Sequence, residues 1–316
     1  MSAIRVLHIA KANGIGGSER HLFTLLPGLA ARGVEVTVCV LTERDADRFV
    51  EPLKALGVTV VTRRSGPNEN PLMTPVLSGV IRRHRPDLVH THLLHADLYG
   101  LPAARLRGVP AVRSIHRIGG RRGYRTLERL VAPWAEATIA ISTEVARFID
   151  EAHLASPSRV RTIPYGIDAS PFEAAAERRE QSRLAVGLAP EEVAVGIASR
   201  LVPGKGHGFL IDAVARAQRS CPSIRLLVAG AGPLRDELER QAVRVLAPGV
   251  GRFLGHVTDV AGFMAACDVV AFPTLPQFGE GFGLAALEAI ASGRPLVATP
   301  AGALPDLVVE GETGFF

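Results

Sequence analysis

The 316-residue chain contains few cysteines, few lysines and few aromatic residues, and it lacks long apolar runs. Its three cysteines, Cys39, Cys221 and Cys267, are scattered and form no CxxC pair, which excludes a disulfide framework and favours a reducing compartment. No apolar run reaches the ~18 residues of a membrane span, and the start lacks the long apolar core of a signal peptide. We therefore expect a cytoplasmic protein.

The residues that dominate are Ala, Val, Leu and Gly, and the hydrophobic content is 47%. This composition is typical of α/β proteins with buried parallel strands, and the length favours two domains.

Residues 1–165 hold 23 Lys and Arg against 14 Asp and Glu, whereas the remainder holds 13 Lys and Arg against 17 Asp and Glu. The basic first half suggests an anionic partner, although an arginine-rich genome would produce the same excess. Nucleic acid is not the partner that we expect.

The most informative stretch runs from Phe278 to Ala289 and contains two glutamates, Glu280 and Glu288, eight positions apart. Glycines at 281 and 283 allow a ligand to approach the backbone closely, and a helix is predicted to begin near Leu284. The first amides of a helix suit a phosphate. A carboxylate would repel that phosphate, so both glutamates are predicted to accept hydrogen bonds from sugar hydroxyls. The pattern therefore indicates a nucleotide-sugar site.

A second stretch places two cations around a tight turn. Arg200 and Lys205 follow the predicted strand 193–199 and precede a helix predicted from about His207. The stretch is not a P-loop, which needs Gly-x4-Gly-Lys-Ser/Thr. Two cations at one loop can neutralise a diphosphate that gains negative charge as it leaves.

Glycine-rich turns follow two other predicted strands. The first, residues 13–19, has Glu19 where the dinucleotide fingerprint needs glycine, which disfavours a nicotinamide dehydrogenase. The second is Gly230–Leu234.

In the first half, His90 and His92 share one face of a strand and with His95 suggest a metal site, but apart from Asp97 no carboxylate or cysteine completes the set.

Together these motifs resemble the retaining glycosyltransferases of family four (glycosyl transferases group 1 type), which have the GT-B fold, over about residues 4–316. The resemblance is carried by Glu280-x7-Glu288, Gly16-Gly17-x-Glu19, Pro-Asp-x-Val-His-x-His at 86–92 and a hinge at 164–168, where Tyr165 replaces the usual Asn. It implies an α/β protein with two Rossmann-like domains facing each other across a cleft. Residues 1–165 would bind the acceptor and residues 166–316 the donor.

The resemblance also implies roles for individual residues. His116, at the end of the strand 111–116, would contact the donor sugar, as would Glu280. Arg200 and Lys205 would stabilise the departing diphosphate in place of a metal, and Glu288 would hold the ribose. The full donor-binding set is Gly16, Gly17, Gly232, Val257, Gly281, Phe282, Gly283, Leu284 and Glu288. The donor would be of UDP or GDP type, and neither a metal nor a cofactor is expected.

The implied reaction is transfer of a sugar to an acceptor hydroxyl with retention, in the synthesis of cell-envelope polysaccharide, lipopolysaccharide or glycolipid. The resemblance is compatible with a lipid-linked acceptor and with a peripheral position on the inner face of the plasma membrane. A loop through residue 125, before a helix at 126–134, carries the arginines that would bind an anionic acceptor or membrane: Arg117, Arg121, Arg122 and Arg125. A solvated basic face is an equally good interpretation.

Two further classes of protein remain open at this stage. The family normally continues for several tens of residues, so a chain lacking the C-terminal helices is expected to expose apolar surface and to couple its domains weakly. That expectation favours a catalytically silent nucleotide-sugar-binding subunit. A nucleotide-sugar epimerase shares the fold and would yield a changed sugar without any acceptor.

Overall fold

The computed structural model describes residues 3–12, 16–43, 46–66, 70, 72–119 and 122–316, apart from the side chains of 122 and 123. The chain forms two compact units, Met1–Gly166 and Ile167–Phe316. Each unit contains one wholly parallel sheet with helices between its strands. The predicted α/β class with two Rossmann-like sheets is confirmed.

The first unit contains a seven-stranded sheet in the order β3-β2-β1-β4-β5-β6-β7. Its strands are β1 Arg5–Lys11, β2 Glu35–Thr42, β3 Thr59–Arg64, β4 Leu88–His92, β5 Ala111–Ile115, β6 Ala137–Ala140 and β7 Val160–Thr162. Its helices are α1 Gly17–Ala30, α2 Asp47–Ala55, α3 Met73–His84, α4 Leu94–Leu106, α5 Arg122–Val131 and α6 Thr143–Glu151. The strand order reverses direction between β1 and β4, and in open parallel sheets ligands bind beyond the carboxyl ends of the strands at such a point.

The second unit repeats this plan with six strands in the order β10-β9-β8-β11-β12-β13. Its strands are β8 Val193–Ala198, β9 Ile224–Ala229, β10 Gly251–Gly255, β11 Val269–Phe272, β12 Leu296–Ala298 and β13 Gly314–Phe315. Its helices are α7 Ser170–Glu177, α8 Arg179–Ala185, α9 His207–Ala217, α10 Arg235–Val245, α11 Val260–Ala266 and α12 Leu284–Ala291. The reversal of strand order lies between β8 and β11.

Alternating apolar residues on the strands give each sheet two buried faces. On β1, Leu7 and Ile9 pack into the cluster that includes residues of α3 and α4. Ala10 packs with Leu22 and Leu26 of α1 in a separate cluster. A strand buried on both faces is the arrangement that a central parallel strand requires.

The predicted loop through residue 125 is wrong, because α5 already begins at Arg122 and ends at Val131. Gly123 lies in the first turn of the helix. The residues that follow it, from Tyr124 to Val131, include no further glycine or proline, so nothing in them interrupts helical hydrogen bonding. Within the described part of the chain, every helix is too short or too polar to cross a membrane.

A buried ion pair lies inside the first unit. Arg113 of β5 is 0% exposed and its Nη1 lies 3.7 Å from Oδ2 of Asp97 on α4, which is 1% exposed. Arg113 also donates to Thr138 Oγ1 at 3.1 Å and to the carbonyl oxygen of Leu154. Burial raises the pKa of Asp97 to about 7, and the charge of Arg113 opposes that rise.

Replacing Asp97 by Asn should therefore destabilise the first unit. The change leaves the Arg113 guanidinium buried without a counter-charge, which costs about 3–5 kcal/mol. Trp134 is the single tryptophan and lies in this unit, so its fluorescence during urea unfolding reports on that unit. The unfolding should be measured at about pH 8.5. The Asp97 carboxyl is ionised there, because its pKa is about 7.

The matched control is Asp87→Asn. Asp87 pairs with Arg5 at 2.8 Å, but both side chains are about half exposed, at 48% and 40%. An exposed pair contributes about 0–1 kcal/mol. Equal losses of unfolding free energy in the two variants would contradict the structural role of the buried pair.

Candidate active site

The candidate site of the second unit lies where its strand order reverses. The loop from Arg200 to Gly206 follows β8, and the loop from Pro273 to Gly283 follows β11, the neighbouring strand. Because both strands are parallel, their carboxyl ends meet at one edge of the sheet. The two stretches that the sequence singled out are therefore adjacent.

Backbone contacts hold the loop after β8 in place. Leu201 donates its amide to the carbonyl of Ala231 at 3.0 Å and accepts from the amide of Leu234 at 3.1 Å. The amide of Leu275 donates to the carbonyl of Gly204 at 2.8 Å. A side chain at Gly232 would overlap the backbone of Leu201. Gly232 is thus required for packing one loop against the next.

Lys205 and Glu280 form an ion pair between the two loops. The Lys205 ammonium Nζ donates to Oε2 of Glu280, and the side chains are 23% and 19% exposed. Both charged groups are therefore partly desolvated yet reachable from solvent. Arg200, in the same loop as Lys205, is exposed. The predicted cation and the predicted hydroxyl acceptor are in direct contact.

Helix α12 begins at Leu284, as predicted, and its N-cap is Gly283. Gly283 has a φ of +89°, which lies in the left-handed region that favours glycine. Glu288 lies one turn into the helix and is only 1% exposed, and Phe282 is also buried. Glu288 is therefore much less accessible than Glu280, and its role toward a ribose stays a prediction.

Two residues that the sequence interpretation did not assign to the site support Glu280. The amide of Ala303 donates to the Glu280 carbonyl at 2.8 Å. A side chain at Gly302, whose φ is +57°, would overlap the Glu280 backbone nitrogen and oxygen. A glycine followed by alanine after a short strand gives no distinctive signal, so this contact was not predictable from the sequence.

His207 and Val257 complete this part of the unit. His207 begins α9 and is buried, with Nε2 3.1 Å from Ser199 Oγ. Burial, reinforced by the charge of Lys205, lowers the pKa of His207 to about 4, so its ring is neutral at pH 7. The positive charge of the loop therefore comes from Arg200 and Lys205. Val257 is partly buried and packs against the apolar core of the unit.

In the first unit, His116 lies directly after β5, which ends one residue earlier than predicted, and both of its ring nitrogens have side-chain partners. Nδ1 bonds the Tyr165 hydroxyl and Nε2 lies 3.2 Å from Nδ1 of His92. Burial lowers the pKa of His116 to about 3 and raises that of Tyr165, so both groups are neutral at pH 7. The Tyr165 ring stacks on His21 with centroids 4.1 Å apart. Tyr165, the departure from the usual hinge sequence, thus holds His116.

The hydrogen-bonded series continues into the sheet. His92 Nε2 lies 3.0 Å from Nδ1 of His8, and His90 Nε2 lies 2.8 Å from Ser114 Oγ. His8, His90 and His92 are all buried, which lowers the pKa of each ring, that of His90 to about 3. The sequence interpretation missed His8 because it lies 84 residues before His92.

The glycines at the start of α1 differ from one another. Gly16 is the N-cap, and its amide donates to Oε2 of Glu19 at 3.0 Å, so Glu19 caps the helix. A side chain at Gly17 would meet no atom of the described residues within 4 Å. Asn13, Gly14 and Ile15 of the predicted turn lie outside the described residues.

Two of the four predicted basic residues contact the protein itself. Arg117 donates to both carboxylate oxygens of the buried Glu128 at 3.0 Å. The Arg125 guanidinium lies over the Phe148 ring, 5.5 Å from its centroid. Arg121 and the side chain of Arg122 lie outside the described residues.

Comparison with known proteins decides the family. The model of Glycosyltransferase Family 4 matches residues 15–171, and that of Glycosyl transferases group 1 matches residues 192–316. The D-inositol 3-phosphate glycosyltransferase of Mycobacterium marinum is 30% identical over 338 residues, which cover 95% of this chain and 69% of that relative. This chain belongs to glycosyltransferase family 4.

Solved structures agree with this assignment. Anabaena HepE, solved in complex with UDP and glucose, is 26% identical, with a TM-score of 0.82 over 99% of this chain and 85% of that chain. A glycosyltransferase from Rickettsia africae has a TM-score of 0.85 at 16% identity, covers 100% of this chain and 84% of that chain, and shares the fold. The family 4 enzyme therefore has the two parallel-sheet units of GT-B glycosyltransferases.

Replacing Gly302 by Ala in this glycosyltransferase should displace Glu280 and release Lys205. The overlap with the Glu280 backbone adds about 1–3 kcal/mol of overpacking to the strain of a positive φ. The chain has only three lysines, Lys11, Lys54 and Lys205, so amine labelling followed by mass spectrometry can report on Lys205 alone. We expect faster labelling of Lys205 in the variant, with Lys54 as internal reference.

Gly293→Ala is the control for this experiment. Gly293 also has a positive φ, +64°, but a side chain there would meet no atom within 4 Å in the described part of the chain. It imposes the backbone strain without the contact. Unchanged labelling of Lys205 in Gly302→Ala, or the same increase in both variants, would show that Gly302 does not position Glu280.

Proposed function

We propose that this glycosyltransferase transfers a sugar from a nucleoside diphosphate sugar to an acceptor hydroxyl with retention at the anomeric carbon, without a metal ion at the diphosphate. The observation that carries the proposal is the ion pair between Lys205 and Glu280. The Lys205 ammonium suits a phosphate, and the Glu280 carboxylate suits sugar hydroxyls. The pair joins them where the strand order of the second sheet reverses. The similarity to HepE, solved with UDP and with UDP-glucose, supports a donor of the UDP type.

Donor binding would exchange the partners of this pair. A diphosphate carries more negative charge than one carboxylate, so it attracts the Lys205 ammonium more strongly. Glu280 then loses its cation and is available to accept hydrogen bonds from the sugar. This exchange would need only small movements of the two side chains, because they are already in contact and both are partly exposed to solvent.

Further groups of the second unit would share the diphosphate and nucleoside. Arg200 offers a planar fork that matches phosphate oxygens, whereas Lys205 acts as a point charge. Amides at the start of α12, over Gly281–Leu284, would bind phosphate, and Glu288 would hold the ribose. As the bond to the sugar breaks, negative charge grows on the diphosphate, and fixed cations stabilise that state more than the bound donor.

The roles that we propose for residues of the first unit are less specific. We propose that His116 offers its neutral ring to a donor-sugar hydroxyl, with Gly16 and Gly17 at the donor. The leaving phosphate would take the proton of the acceptor hydroxyl. The acceptor would belong to cell-envelope polysaccharide, lipopolysaccharide or glycolipid synthesis. Arg121, Arg122 and their neighbours would serve an anionic acceptor or a membrane surface.

Replacing Lys205 by Ala should reduce turnover about 10²–10³-fold, because removing one preorganised donor of the transition state has effects of that size. Release of UDP from UDP-glucose measures this without knowledge of the acceptor. Lys54→Ala is the control, since Lys54 pairs with Glu51 at 2.8 Å on the surface of the first unit. Glu288→Gln should also reduce release, because it removes the carboxylate proposed to hold the ribose. Near-normal release by both Lys205→Ala and Glu288→Gln would refute the site.

A thermal-shift screen with UDP, GDP, ADP and their glucose conjugates should identify the donor base. A ligand at 100 times its Kd stabilises the native state by about 2.7 kcal/mol, so the correct nucleotide should raise the unfolding temperature most. The rise should shrink in Lys205→Ala and persist in Lys54→Ala. If all six compounds leave the unfolding temperature unchanged, the nucleotide-sugar proposal fails. Binding without turnover on any acceptor would instead indicate a silent binding subunit.

A further inference from the structure

We propose that His8, His90 and His92 of the first unit form a binding site for one divalent transition-metal ion, for which Zn²⁺ is the best match. All three residues belong to the first unit, whereas the proposed diphosphate site belongs to the second. The metal site does not depend on the proposed function.

Strand pairing brings the three histidines together. In the parallel pairing of β1 with β4, His8 lies beside His90 and Ala10 lies beside His92. His90 and His92 are two residues apart and therefore point to the same face of the sheet. One ring nitrogen from each of the three residues lies within 4.8 Å of the others, and all three side chains are buried.

The spacing is close to that of a tetrahedral site. Zinc binds imidazole nitrogen at about 2.0–2.1 Å, which places two tetrahedral ligand atoms about 3.3–3.4 Å apart. Nδ1 of His8 and Nε2 of His92 are 3.0 Å apart. A shift of a few tenths of an ångström would accommodate an ion between these rings.

The opposite nitrogens of two rings already have hydrogen-bond partners. His90 Nε2 lies 2.8 Å from Ser114 Oγ, and His92 Nδ1 lies 3.2 Å from His116 Nε2. This leaves His90 Nδ1 and His92 Nε2 for an ion. Metal-bound histidines commonly use the second nitrogen in this way, because that bond fixes the tautomer and the ring orientation.

His8 would bind the ion through Nδ1, the nitrogen that lies 3.0 Å from His92 Nε2. Its other ring nitrogen, Nε2, is buried and has no hydrogen-bond partner among the residues that the structure describes. A buried polar atom without a partner requires an explanation, and a bound water is a common one. A groove of about 620 Å³ between α1 and the sheet is lined by His8, His90 and Ser114 at one point. The groove gives an ion and a fourth ligand, water, a way in.

The ligand set selects the class of ion. Three imidazoles suit Zn²⁺, Cu²⁺, Ni²⁺ or Co²⁺, whereas Mg²⁺ and Ca²⁺ prefer oxygen ligands. Three histidines and one water are a known zinc arrangement. With the ion on His92 Nε2, His92 keeps its proton on Nδ1 and donates it to His116. The ion would therefore fix the proton on His116 Nδ1, which faces Tyr165, so the site would position His116.

The test is a titration of the tag-free chain with Zn²⁺, followed by calorimetry, and with Co²⁺, followed by visible absorption. We expect one equivalent per chain and an intense tetrahedral Co²⁺ spectrum. His8→Ala should abolish binding. Ser114→Ala removes only the partner of His90 and should weaken binding 10–100-fold. Because that change spares all three ligands, it keeps the proposal testable if His8→Ala fails to fold by Trp134 fluorescence.

The control variant is His153→Asn. His153 is exposed in the same unit and has a φ of +51°, a conformation that Asn tolerates. Its replacement should leave binding unchanged. The proposal is overturned if the wild-type chain binds neither ion stoichiometrically. It also fails if folded His8→Ala or Ser114→Ala binds as tightly as wild type, since exposed histidines would then account for the signal.

Discussion

The second unit of this glycosyltransferase depends on one electrostatic contact, the ion pair of Lys205 with Glu280 between the loops that follow β8 and β11. An exposed pair would be weakened by water, and a fully buried pair would be unable to exchange partners. At 23% and 19% exposure the two groups avoid both extremes. The pair keeps each charge compensated and fixes the positions of two groups that a nucleotide sugar would separate.

Glycines make this contact possible by letting loops touch each other. The sequence suggested that glycines at the site admit a ligand close to the backbone. At Gly232 and Gly302 the space that a side chain would need is taken instead by the backbone of Leu201 and of Glu280. Gly17 differs, since a side chain there would meet no atom within 4 Å among the residues that the structure describes. The same residue type therefore serves loop packing at some positions and leaves open space at others.

The sequence predicted those features that short segments determine. The beginnings of α12 at Leu284 and of α9 at His207 followed from local helix signals, and the pairing of neighbouring strands brought the two predicted stretches together. Contacts between distant residues were not predictable. Tyr165 lies 49 residues from His116, and His8 lies 84 residues from His92. Such contacts depend on strand order, which local patterns do not encode.

The environment of His116 shows how the fold limits its chemistry. A neutral imidazole has one donor and one acceptor nitrogen, and here Tyr165 and His92 use both. A sugar hydroxyl can therefore bind the ring only by displacing one of them. Displacing His92 would disturb a buried series of hydrogen-bonded histidines that extends to His8, whereas displacing Tyr165 would disturb its stacking on His21 and leave that series intact. Tyr165 is thus the partner that His116 can exchange at lower cost.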